Sequence, residues 1–163
     1  MEVAQVRPLT SRTRVALAIA RGIAAARGDR DLSETHIAVG ILREGSNAAL
    51  SALWYAGMSE NDMRRLSSYF EHSLGEPPGY IGPREVTIEL TAGEQELLRL
   101  SDLEADQLND PYLGTEHILL AILRSDDRAA QKFAENGMSL EKYCEGMVSS
   151  RRGDPPPSQP RAV

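Results

Sequence analysis

The segment LSETHIAVGILR at 32–43 returns 81 positions later as LGTEHILLAILR at 113–124. The same offset aligns Leu9 and Thr10 with Leu90 and Thr91, Leu17 with Leu98, Ala24 with Ala105 and His36 with His117. One residue is then missing, and at an offset of 80 the run Gly57, Met58, Ser59 aligns with Gly137, Met138, Ser139. A match this long with a single gap marks a duplicated supersecondary unit. The first copy spans 9–74 and the second 89–150, with a short extension, 1–8, in front. Between them, 75–88 contains GEPPGYIGPREV, whose prolines and glycines predict an extended connector. The end, 151–163, has no apolar face and reads as a disordered tail.

Each copy reads as four helices, about eight in all. Thr10 can cap a first helix in which Val15, Ile19 and Ile23 recur every four residues, with Ala16, Ala20 and Ala24 beside them. Ser33 is expected to cap the second, Asn47 to open the third, Gly57 to stop it, and Ser59 with Asp62 to start the fourth. In the second copy Thr91 and Glu94 form a capping-box pattern, and Thr115 is expected to cap the helix that carries His117. Gly137 and Ser139 repeat the stop and the start. Strand-like alternation is confined to VTIEL at 86–90. The expected fold is all-α, two tandem four-helix repeats packed with pseudo-twofold symmetry. Each copy alone offers only a narrow, alanine-rich apolar face.

Composition narrows the function. Aromatic residues are 5% of 163, so alanine and aliphatic side chains must fill the core. The net charge of −6 argues against nucleic acid as a partner. The basic stretch from Arg7 to Arg30 also lacks the interleaved aromatics that stack on bases. The longest apolar runs, VALAIA and HILLAIL, fall well short of the roughly 20 residues that cross a membrane. A lone Cys144 excludes an internal disulfide and points to a reducing compartment, so a cytoplasmic location is expected. Charge is uneven between the copies: arginines crowd the first helix, while Glu94, Glu96, Asp102, Glu104, Asp106 and Asp110 crowd its counterpart. The two helices can attract across the repeat interface, the basic one can face an acidic partner, or both can be solvated faces.

With the repeat in place, YLGTEHILLAILR at 112–124 closely resembles the signature of the Clp N-terminal domain, also called the Clp repeat domain, in its ClpC-like branch. The resemblance covers 9–150 and departs from the pattern at SETHIAVGIL in the first copy. It implies a domain that stands at the front of an AAA+ unfoldase and receives substrates and adaptor proteins. No G-x-x-x-x-G-K-[ST] phosphate loop occurs in the chain. The expectation is therefore a free-standing binding module, or an N-terminal fragment of a full-length Clp ATPase. The rival is a structural or dimerising helical protein unconnected with Clp. Expected partners are a Clp ATPase, adaptors or substrate polypeptides, with the oligomeric state left open.

The resemblance also implies a site for phosphorylated arginine, built from the glutamate of GTEH and the threonine that opens each repeat. The residues that match are Thr91, Glu116 and Thr10. A carboxylate suits the guanidinium, while hydroxyl and backbone donors suit the phosphoryl group. In the first copy Thr35 stands where the glutamate is expected, and Glu34 points about 100° away on a helix. The plain alternative is a helix cap and a first-turn acid favoured by the helix dipole. His36 and His117 invite a zinc reading, but two histidines without further ligands make a poor site. No metal or cofactor is expected. Without a nucleophile elbow such as G-x-S-x-G, no enzyme is expected either.

Overall fold

The computed structural model describes residues 6–75 and 92–155. Eight helices follow one another: α1 Ser11–Arg27, α2 Glu34–Glu44, α3 Ala48–Tyr55, α4 Glu60–Ser73, α5 Ala92–Gln107, α6 Thr115–Arg124, α7 Arg128–Glu135 and α8 Leu140–Arg152. No strand occurs among the described residues; one isolated parallel bridge joins Leu9 to Leu113. The VTIEL segment, Thr91 and nearly all of the connector lie outside the described residues.

The expected caps explain most of the boundaries. Thr10, Ser33, Asn47, Ser59 and Ser139 each accept a hydrogen bond from the backbone N–H three residues on. Gly57 and Gly137 take left-handed backbone at φ 104° and 82°, a conformation that stops a helix cheaply only at glycine. Thr115 departs from its expected role. Gly114 is the N-cap of α6, and Thr115 is the first helical residue, its hydroxyl turned toward α3.

The two copies interlock. The third helix of each repeat packs across onto the second and fourth helices of the other: α3 lies on α6 and α8, and α7 lies on α2 and α4. This reciprocal crossing is the pseudo-twofold arrangement, with α2 against α6 near its axis. One core results, in which Leu17, Ile37, Leu53, Phe70, Ile118, Phe133 and Tyr143 are buried. Phe70 and Phe133, each from its own repeat, meet with ring centroids 5.5 Å apart.

Two glycines set how closely helices approach. A Cβ at Gly40 would collide with the Ala16 carbonyl and stand 3.1 Å from the Ala20 Cβ. This crossing turns the alanine face of α1 inward. Val15 is therefore 47% exposed, and Ala16, Ala20 and Ala24 are buried, which reverses the weight the four-residue recurrence gives to Val15. Gly146 of α8 lies equally close to α3, where a Cβ would stand 2.7 Å from the Ala56 Cβ.

The uneven charge is resolved largely by attraction across the interface. Arg7 pairs with Asp102 at 3.0 Å and with Asp106 at 2.5 Å, and Arg21 pairs with the buried Glu94 at 2.5 Å. Arg151 and Arg152, assigned to the tail from sequence, instead form the last turn of α8. Gly153 in the left-handed conformation ends that helix, and Arg151 is held by Asp110.

Candidate functional site

Helix α6 enters the core at a glycine, and its entry shapes the site. Gly114 has no side chain to cap the helix, so His117 bends back and its Nδ1 accepts the Gly114 N–H at 2.9 Å. With Nδ1 an acceptor, Nε2 carries the proton and donates it to Asp110 at 2.6 Å. The same latch exists in the first repeat. Ser33 N–H donates to His36 Nδ1 at 3.0 Å, and His36 Nε2 faces Asp29 at 2.9 Å. The offset of 81 also aligns Asp29 with Asp110, so the two aspartates were legible in the sequence beside the histidines.

Glu116 lies in the first turn of α6 and is 3% exposed. Its carboxylate folds back over Gly114, occupying the space a side chain at 114 would need. There it faces the N-terminal end of the helix, where the backbone dipole favours an anion. Its nearest cation is Arg151, with Nη2 at 3.5 Å from Oε1. Arg151 in turn closes a two-pronged contact on Asp110 at 2.6 and 3.2 Å. Behind Glu116, the buried Tyr143 hydroxyl donates to its backbone carbonyl at 3.0 Å. Burial, with the nearby charges of Glu116 and Asp110, pushes the Tyr112 hydroxyl above its usual value.

A groove of about 690 Å³ runs in front of this entry. Leu50, Trp54, Tyr55 and Met63 supply apolar and aromatic wall, and Tyr112, Glu116, Thr10 and Arg12 supply the polar side. Thr10 of the first repeat is brought here because its backbone N–H donates to the Leu113 carbonyl at 3.1 Å. Thr10 and Glu116 thus share one groove although they come from different copies. Thr91, the third candidate, lies outside the described residues.

The equivalent surface of the first repeat is different. Thr35 occupies the place of Glu116 and lines a separate, mostly polar hollow of about 490 Å³ with Glu34, His36 and Arg128. Glu34 accepts a hydrogen bond from Ser125 Oγ at 3.1 Å, and burial raises its carboxyl above the ordinary range.

Asp110, Glu116 and His117 bring one potential ligand atom each within 4.8 Å of one another. Both imidazole nitrogens are already engaged, and Arg151 supplies the positive charge that the two carboxylates call for. Arg151 is the member of this cluster that sequence reasoning missed, because a residue placed in a tail has no neighbours to suggest. Cys144 is half-buried on α8, and burial raises its thiol above the usual value, against the pull of Arg124.

Fold and groove define a duplicated helical repeat domain with a recognition groove between its copies. The model of the Clp repeat (R) N-terminal domain matches residues 8–136, and the chain belongs to that family. It is 30% identical over 135 residues to the chaperone protein ClpB of Oceanobacillus iheyensis, covering 82% of this chain and 16% of that protein. It is 31% identical over 134 residues to the negative regulator of genetic competence ClpC/MecB of Bacillus subtilis, with the same coverage. The chain thus spans about one sixth of the length of these curated relatives, at 16%. Among solved structures, the Hsp104 N-terminal domain from Candida albicans superposes with a TM-score of 0.68 at 19% identity, covering 93% of this chain and 96% of that one. The N-terminal domain of ClpD from Arabidopsis thaliana gives 0.62 at 14% identity, covering 89% and 95%. At these identities the two structures speak for the fold. Among the described residues, no helix is long and apolar enough to cross a membrane.

Proposed function

We propose that this chain is a non-enzymatic protein-binding module that recognises substrate or adaptor polypeptides, or a Clp ATPase, and thereby modulates ATP-dependent proteolysis. The observation that carries this reading is the inter-repeat groove, where the buried Glu116 carboxylate and Thr10 share a space walled by Trp54 and Met63. Aromatic and apolar wall beside a few fixed polar groups is the usual make-up of a site that binds another molecule. Within that groove, the favoured ligand group is a phosphorylated arginine side chain. Glu116 takes the guanidinium, while the Thr10 hydroxyl and the Arg12 guanidinium are available to the phosphoryl oxygens. Thr91 keeps the supporting role the family resemblance gives it. The single, half-buried cysteine is in keeping with work in the cytoplasm.

The test has two arms. Immobilised protein should enrich a Clp ATPase or its adaptors from extract over a control whose groove residues are altered. In titration with a phosphoarginine peptide, Glu116→Ala should lose most of the binding while its circular dichroism spectrum stays unchanged. Equal binding by wild type and variant removes the phosphoarginine reading. Absence of any Clp component in the capture removes the broader one.

A further inference from the structure

Glu116 already has a cation beside it. Arg151 reaches from the last turn of α8, with Nη2 3.5 Å from Glu116 Oε1 and both Nη atoms on Asp110. Asp110 fixes it there, and His117 fixes Asp110 in turn. The His117 ring cannot take over the neutralising role without giving up a hydrogen bond, since Nδ1 accepts the Gly114 N–H. The Arg151 side chain is 36% exposed and the Glu116 side chain 4%.

A second guanidinium bonded to the Glu116 carboxylate would stand only a few ångströms from the first. Like charges that close, in a site this poorly solvated, weaken binding by large factors. A ligand group that carries an anion together with its cation escapes that penalty. Its cation sits on Glu116 and its anion turns toward Arg151. Arg12, 61% exposed on the wall of the same groove, adds a second positive charge for the anion. The site is thus arranged for a side chain bearing both signs of charge, not for a simple cation.

We infer that Arg151 is the specificity-determining residue of the Glu116 site, rejecting unmodified arginine and lysine and admitting an arginine that carries its own anionic group. This inference rests on the reading of Glu116 as the ligand's carboxylate. A purely structural Arg151, present only to neutralise Asp110 and Glu116, would change stability but not the ratio of two affinities.

The experiment measures that ratio with the full chain, by fluorescence anisotropy, using one peptide carrying phosphoarginine and the same peptide carrying arginine. Wild type should prefer the phosphorylated peptide. Arg151→Gln should reduce the preference by about tenfold or more, largely by tightening the unmodified peptide, and Arg151→Lys should keep it. A citrulline peptide, the neutral isostere of arginine, provides a measurement on wild type that no folding defect can spoil. Citrulline should bind at least as well as arginine; arginine binding tenfold tighter would overturn the inference. An unchanged ratio in folded Arg151→Gln would also overturn it. The reading of Glu116 survives that result if Glu116→Ala still abolishes phosphoarginine binding. If wild type binds none of the three peptides, both fall together.

Discussion

Thr115, in the first turn of α6, donates its hydroxyl hydrogen to Asn47 Oδ1 across the boundary between the repeats, at 3.1 Å. The same hydroxyl accepts the Ala49 N–H at 3.1 Å, and Asn47 Oδ1 also receives the Leu50 N–H. One buried threonine therefore satisfies the opening turn of a helix that belongs to the other copy. Replacing it by the isosteric valine leaves the Ala49 N–H without its acceptor. Thr115→Val should cost about 2 kcal/mol, read as a shifted urea midpoint with an unchanged slope.

Gly146 allows α8 to lie directly on α3. Its counterpart in the first repeat, 80 positions earlier, is the buried Leu66. Gly146→Leu would make the sequences of the two copies more alike but force α3 and α8 apart. We expect a loss of about 3 kcal/mol from overpacking, measured by chemical denaturation. A neutral result would mean that the two helices do not approach so closely in solution.

Asp110 gives the fold an acid-sensitive element. Burial alone would raise its carboxyl, but hydrogen bonds from Arg151 and His117 outweigh this and hold it below the usual aspartate range. A folded-state value below the unfolded one stabilises fully above the unfolded value of 3.8 and is lost as pH falls through the folded value. Wild type should therefore outlast Asp110→Asn by about 2 kcal/mol near neutral pH. The gap in melting temperature should hold down to about pH 4 and then close. A gap that stays constant into strong acid would contradict this.

Cys144 should behave as an inert thiol. Burial raises it, Arg124 lowers it less, and Glu104 adds to the rise. Since the thiolate is the reactive form, alkylation by iodoacetamide at neutral pH should run severalfold slower than for a cysteine in a short peptide. Rates that match the peptide would show that α8 frays around this residue.

Much of the fold was legible because capping and duplication are local or periodic signals. Ser33, Asn47, Ser59 and Ser139 sit at the predicted helix starts, and the offset of 81 residues announces two equivalent units. Thr115 was misread because a threonine before an apolar run is the usual cap, and only the opposite repeat tells its hydroxyl where to turn. Val15 was misread because periodicity gives the spacing of a face but not which neighbouring face a close helix crossing will choose. Glu116 could be singled out from the family pattern. Its meeting with Thr10 depends on the Leu9–Leu113 bridge, a contact between distant segments that no short pattern encodes. Arg151 was hidden for the same reason, since its partners Asp110 and Glu116 lie far back in the chain.

The reciprocal seating of α3 and α7 has a topological consequence. Neither half contains its own complement, so the covalent link between them raises the effective concentration of two mutually dependent pieces and does not join two independent ones. Severing that link should yield a tightly associated heterodimer, and the ancestor of such a gene, before its duplication, is most simply pictured as a symmetric pair of identical subunits.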